Sequence, residues 1–85
     1  MTPSFNRMFR FQWEPVQDCF VLLFPEGMVK LNNGAGEIMQ LIDGEKNIEQ
    51  ITDSLQSKFP DAGNLSADVN EFITTAIDKK WLYYD

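Results

Sequence analysis

The sequence predicts a single α+β domain, a three-stranded antiparallel meander followed by three helices, and three observations carry that prediction. Phe9, Phe11 and Trp13 alternate with Arg10, Gln12 and Glu14, the period of two expected of a strand with one buried face. The apolar run from Cys19 to Phe24 is followed at once by Pro25-Glu26-Gly27, a turn signal, and then by a second short run from Met28 to Leu31. From Asn32 onward the apolar spacing changes to that of helices, with a capping residue ahead of each of three segments.

Each element follows from its residues. Residues 1–8 show no period and read as a loosely held arm, with Phe5 and Met8 able to dock on the body or exchange with a neighbouring chain. Glu14 to Asp18 breaks the first strand of the meander. The run Cys19 to Phe24 is apolar on both faces and belongs at the sheet centre. The last strand, Met28 to Leu31, puts Met28 and Lys30 on one face and Val29 and Leu31 on the other, which suits an edge that is half covered.

The first helix, capped by Asn32 or Asn33, carries Ala35, Ile38, Met39, Leu41 and Ile42 up to a stop at Asp43-Gly44. Asn47 caps the second, with Gln50 three residues on as a variant capping box. Ile48, Ile51, Leu55 and Phe59 mark its buried stripe before Pro60. Ser66 caps the third, Asp68 complements the dipole in its first turn, and Val69, Phe72, Ile73, Ala76 and Ile77 share one side. Trp81 to Tyr84 forms an aromatic tail that packs on the core or extends as a short strand. The domain proper is residues 9–85.

Composition narrows the function. Eighty-five residues, 44% hydrophobic and 24% charged, with seven Phe, two Trp and two Tyr, suit one small core rich in aromatic burial. The single cysteine, Cys19, forms no internal disulfide and reads as a small buried side chain, so a cytoplasmic home is expected. There is no secretory h-region and no apolar run of about 18 residues, so no membrane partner is expected. The net charge of −6 falls wholly on residues 33–85, where four lysines face ten acidic residues. An acidic helical half repels phosphates, and the pI near 4.4 argues against a nucleic-acid partner.

Catalytic chemistry is poorly provided for. The chain has no histidine, and one cysteine cannot build a thiolate metal site. Asp43 with Glu45 and Asp68 with Glu71 are acidic neighbours at helix ends or on helix surfaces, where carboxylates are ordinary. Neither Asn33-Gly34-Ala35-Gly36 nor Asp43-Gly44 has the spacing and lysine of a phosphate loop. No enzyme activity, cofactor or metal is expected. The functional candidate is a surface: the outer side of the last strand, whose unpaired N–H and C=O groups accept an extended peptide, with the third helix as a wall.

The chain also resembles a known family. The run Leu22-Leu23-Phe24-Pro25-Glu26-Gly27-Met28-Val29-Lys30-Leu31-Asn32, then Ala35 with Ile38, Asp43-Gly44-Glu45, and Trp81-Leu82 are similar to the PqqD family, the peptide chaperones of pyrroloquinoline quinone (PQQ) biosynthesis. Arg10 to Glu14 and Asp68-Val69 with Phe72 also fit, so the likeness covers nearly the whole chain. Asn33-Gly34 and Lys46-Asn47 depart from the family pattern. The resemblance implies a winged helix-turn-helix variant and a non-catalytic carrier that binds the PqqA precursor peptide and presents it to the radical S-adenosylmethionine (SAM) enzyme PqqE.

Carried over residue by residue, the resemblance implies peptide contacts at Met28, Val29, Lys30, Leu31 and Asn32 on the strand, and at Asp68, Phe72, Thr75 and Ala76 on the third helix. Val29, Leu31 and Phe72 are core candidates as well. Lys30 also serves as a charge that protects an exposed edge. The alternatives from other classes are a recognition domain for the leader of a different modified peptide and a winged-helix DNA-binding regulator. A monomer is expected in function, with a domain-swapped or edge-paired dimer as the other states such an edge allows.

Overall fold

The computed structural model describes residues 2–84 and has the element order β1 (Pro3–Phe5), β2 (Arg10–Glu14), β3 (Cys19–Phe24), β4 (Gly27–Lys30), α1 (Asn33–Met39), α2 (Ile48–Lys58), α3 (Ser66–Asp78) and β5 (Leu82–Tyr84). The predicted meander is present as the antiparallel sheet β2-β3-β4, and the three helices follow it. A second ribbon pairs β1 with β5, Pro3 opposite Tyr84 and Phe5 opposite Leu82.

That ribbon differs from the loose arm read over residues 1–8. Pro3 is buried, and the Phe5 ring stacks on Phe11 at 5.5 Å. A three-residue strand containing proline shows no alternation, and its partner lies at the far end of the chain, so no local pattern announces it. Met1 of that arm and Asp85 of the expected 9–85 domain lie outside the described residues.

The register sorts the sheet's faces. Val29 lies opposite Leu22 and Phe11 lies opposite Leu22 on the other side, so side chains 11, 22 and 29 share the face that meets the helices. Leu22, Met39, Ile51, Ile73 and Leu82 form the fully covered centre of the core. Val21, on the opposite face between Gln12 and Lys30, is also fully covered, whereas Cys19 is only half-buried. Trp13, near the end of β2, has 48% of its surface exposed, its ring edge-on to Phe20 at 5.1 Å.

Local chemistry explains most boundaries. The β3–β4 hairpin closes on Phe24 and Gly27, and Gly27 stays out of the left-handed region, so the turn relies on Pro25 rather than on glycine freedom. Asn32 caps α1, its Oδ1 accepting from Ala35 N–H at 2.8 Å. The α-helix stops at Met39, earlier than Asp43-Gly44. Leu41 and Ile42 donate to Ile38 and Met39, three residues back, and this tighter winding still delivers Ile42 to the core.

Gly44, at φ +81°, turns the chain beside Asp43. The Lys46 ammonium bonded to Asp43, then the N–H groups of Lys46 and Glu45, hold that carboxyl well below the usual carboxylate range. The capping box of Asn47 and Gln50 is complete in both directions. Phe59, expected on the buried stripe of α2, is instead the exposed residue that ends it.

Ser66 does not cap α3. Leu65 occupies the cap and offers no side-chain acceptor, while Gln56 Oε1 accepts from Leu65 N–H at 3.1 Å and Asn64 Oδ1 accepts from Ser66 N–H at 2.9 Å. A glutamine of α2 thus ties down the entry to α3, a long-range role that no local signature could show.

Gly36 sets the approach of α1 to the sheet. A Cβ there would lie 3.1 Å from Phe20 Cδ2 and 3.6 Å from Phe20 Cβ. Phe20 is itself held by the stacked Phe11 ring at 4.7 Å. Gly36→Val is therefore expected to cost about 1–3 kcal/mol through overpacking. Denaturant unfolding would check this, and an unchanged midpoint would mean that α1 can withdraw from β3 freely.

Candidate peptide-binding edge

The backbone of β4 can be assigned group by group. Leu31 N–H donates to Phe20 carbonyl oxygen at 3.0 Å, which makes 20 and 31 a hydrogen-bonded pair of the antiparallel ladder. Such pairs alternate, so Val29 with Leu22 and Gly27 with Phe24 are the next ones. The N–H and C=O groups of Met28 and Lys30 then point away from β3. Since β4 has one strand neighbour, they form the free side of the edge.

The side chains around this edge divide in two. Met28 is 42% exposed, Lys30 and Asn32 are exposed, and Val29 is half-buried. Leu31 is buried and its N–H is already used, and the Asn32 carbonyl oxygen is spent on the cap of α1. On α3, Asp68 and Thr75 are exposed, Phe72 is half-buried against the core and Ala76 is fully covered. Val29, Leu31, Phe72 and Ala76 all belong to the one hydrophobic cluster of the core.

Two concavities involve the helices. Asp68, Glu71, Phe72 and Thr75 line a shallow hollow of about 280 Å³ on α3, so three of the four expected helix residues share one depression. A larger cleft of about 480 Å³ begins where β4 gives way to α1, at Asn33 and Gly34, and runs over Ile38, Leu55, Phe59 and Leu65 to Asp68. Asp68 borders both. Sequence reasoning missed the cleft because its walls come from three helices. The exposed Phe59 was its signal, masked by a position that fits the buried stripe of α2.

The rim is acidic. Lys58 pairs with Glu37 at the cleft, while Asp68 and Glu71 make no ion pair among the described residues. What this surface offers is backbone hydrogen bonding, apolar contact and a carboxylate rim. Among the described residues no group of three His, Cys, Asp or Glu is arranged to hold a metal ion, and no helix is long and apolar enough to cross a membrane.

An open sheet edge on a small α+β body is the geometry on which an extended polypeptide can add as a further strand. Comparison with known proteins gives the family. The model described as "Coenzyme PQQ synthesis protein D (PqqD)" matches residues 19–82. A PqqA binding protein of Rahnella aquatilis is 48% identical over 83 residues, spanning 98% of this chain and 87% of that protein. One from Pseudomonas aeruginosa strain PAO1 is 46% identical over 80 residues, spanning 94% of this chain and 87% of that protein.

Among solved structures, the PqqD part of Methylobacterium extorquens PqqCD superposes with a TM-score of 0.77 at 27% identity, covering 95% of this chain and 87% of that one. It is described as a functional, stand-alone recognition element for ribosomally synthesized and post-translationally modified peptides. PqqD from Xanthomonas campestris superposes with a TM-score of 0.60 at 33% identity, covering 98% of this chain and 93% of that one. The chain belongs to the PqqD family.

Proposed function

We propose that this chain is a non-catalytic carrier in PQQ biosynthesis that binds the PqqA precursor as a fourth strand on β4 and presents it to the radical SAM enzyme PqqE in the cytoplasm. The observation that carries this reading is the free edge of β4, with the Met28 and Lys30 backbone groups aimed outward. The names of the relatives support the choice of peptide.

Magnitudes show what the site must supply. Four backbone hydrogen bonds at roughly 0.5–1.5 kcal/mol each give about 2–6 kcal/mol, short of the roughly 8 kcal/mol of a micromolar complex. Ordering a flexible peptide costs more again. Apolar side chains of the peptide must therefore be buried, at roughly 1.5–3 kcal/mol apiece, and the hollow at Phe72 and the cleft at Phe59 and Leu65 are where they fit. Backbone pairing sets the register, and these anchors select the sequence.

A DNA regulator has less support, because α3 presents Asp68, Glu71 and Asp78 and carries no basic residue along its length. The competing acceptor is β2, the other edge of the same sheet. By the same alternation its outward groups belong to Phe11 and Trp13.

A titration of isotope-labelled protein with PqqA precursor peptide separates these surfaces. The amides of Met28 and Lys30 are expected to shift and gain exchange protection, with Asp68, Phe72 and Thr75 following, while Val29, already paired with Leu22, moves little. Shifts at Phe11 and Trp13 instead would move the site to β2. An unperturbed spectrum would overturn peptide carriage.

A further inference from the structure

Four of the seven basic residues gather at one end of this acidic protein, although about seventy residues separate them in sequence. Asn6 makes the junction. Its N–H donates to Trp81 carbonyl oxygen at 3.0 Å and its Nδ2 to Lys80 carbonyl oxygen at 2.7 Å. Its own Oδ1 accepts from Met8 N–H at 2.9 Å and its carbonyl from Phe9 N–H at 3.0 Å. The turn carrying Arg7 is thereby fixed against the end of α3, where Lys80 takes the left-handed conformation at φ +67° and the Lys79 ammonium sits 5.7 Å from the centre of the Trp81 ring.

Arg7 and Arg10 border a hollow of about 410 Å³ completed by Met8, Phe9, Leu23 and Phe24, with no acidic residue in its lining. Met8 stands 63% exposed at its rim. Among the described residues the ion pairs use Lys46 and Lys58, and none uses Arg7, Arg10, Lys79 or Lys80. In a chain of net charge −6, where carboxylates are plentiful, these exposed cations stand without an ion pair among the described residues.

We propose that this basic end, with its apolar hollow, docks a protein surface whose carboxylates surround an exposed apolar side chain. Resting on the reading above, the partner is the enzyme that receives the peptide. The rest of the chain, acidic over residues 33–85, repels a polyanion, so a nucleic acid is not the occupant.

Position supports the assignment. Met28, Leu23 and Arg10 lie in one row across the sheet, so the start of β4 is roughly 10 Å from Arg10 at the usual spacing of neighbouring strands. Antiparallel addition to β4, the more stable pairing per residue, sends the C-terminal part of a bound peptide past Met28 toward this end. An enzyme docked there meets the emerging peptide at high local concentration.

The test uses the full chain with purified PqqE and PqqA precursor. Arg7→Glu with Arg10→Glu is expected to weaken association with PqqE by about 20-fold or more, and Lys79→Glu by about 3-fold or more, with precursor affinity unchanged within about 2-fold. Arg7→Lys with Arg10→Lys is expected to keep most of the association, and raising salt from about 50 to 500 mM to weaken the wild-type complex about 10-fold. These side chains are exposed, and a retained amide spectrum reports an intact fold. Unchanged PqqE association in both charge-reversed proteins, or none with the wild type, would overturn the docking surface. Failure of the wild type to bind precursor would instead overturn the peptide-carrier reading.

Discussion

Replacing Met28 and Lys30 together by proline is expected to weaken precursor binding by roughly 30- to 140-fold, about 2–3 kcal/mol, while the domain still folds. Both residues sit at non-hydrogen-bonded positions of the β3–β4 ladder, so their N–H groups face outward. Proline removes an outward donor without touching the bonds to β3, and edge strands tolerate it there. Val29→Pro is the contrast, because it breaks the bond to Leu22 inside the sheet and is expected to destabilise the domain itself. Calorimetric titration with precursor peptide, beside thermal unfolding of each variant, reads both effects. Full affinity in the double variant would show that the peptide does not use this edge.

Leu22→Ala is expected to have the largest effect on stability, about 3–4 kcal/mol. Leu22 is fully buried in the central strand, paired on one side with Phe11 and on the other with Val29, and it packs under the helices. A domain of this size has a total of roughly 4–13 kcal/mol, so the loss is a large fraction of it. At about 4–8 °C per kcal/mol, Tm should fall by roughly 12–30 °C. A fall of only a few degrees would mean that the sheet and helices do not share one core.

The two predictions separate function from stability by a single residue's alternation. Phe20 and Leu22 of β3 pack toward the helical core, while the backbone groups of alternate residues of β4 point away from β3. The outward groups of β4 have no strand neighbour among the described residues, while Leu31 and Val29 tie the strand to the core cluster.

Much of this was legible in the residues. Strand alternation over 9–14, the apolar run of β3, and the caps Asn32 and Asn47 with the box partner Gln50 are local signals, set by periods of two and 3.6 and by side chains that bond a few residues away. So was the exposure of Met28 and Lys30 opposite Val29 and Leu31. Where local signals misled, a distant partner had intervened. Leu65 rather than Ser66 occupies the cap of α3, where Gln56 reaches over to bond it, and Phe59 faces outward because three helices open a cleft beside it.

What the sequence by itself determined is therefore the class of fold, the acidity and the strand that carries the edge, since each depends on neighbours in the chain. Only the tertiary structure decided which backbone groups of β4 are free, that Pro3–Phe5 pairs with Leu82–Tyr84, and that Asn6 ties the turn carrying Arg7 to Lys80 and Trp81. Register and charge clustering are contacts between residues far apart in sequence, and no local periodicity encodes which distant groups the packed core will bring together.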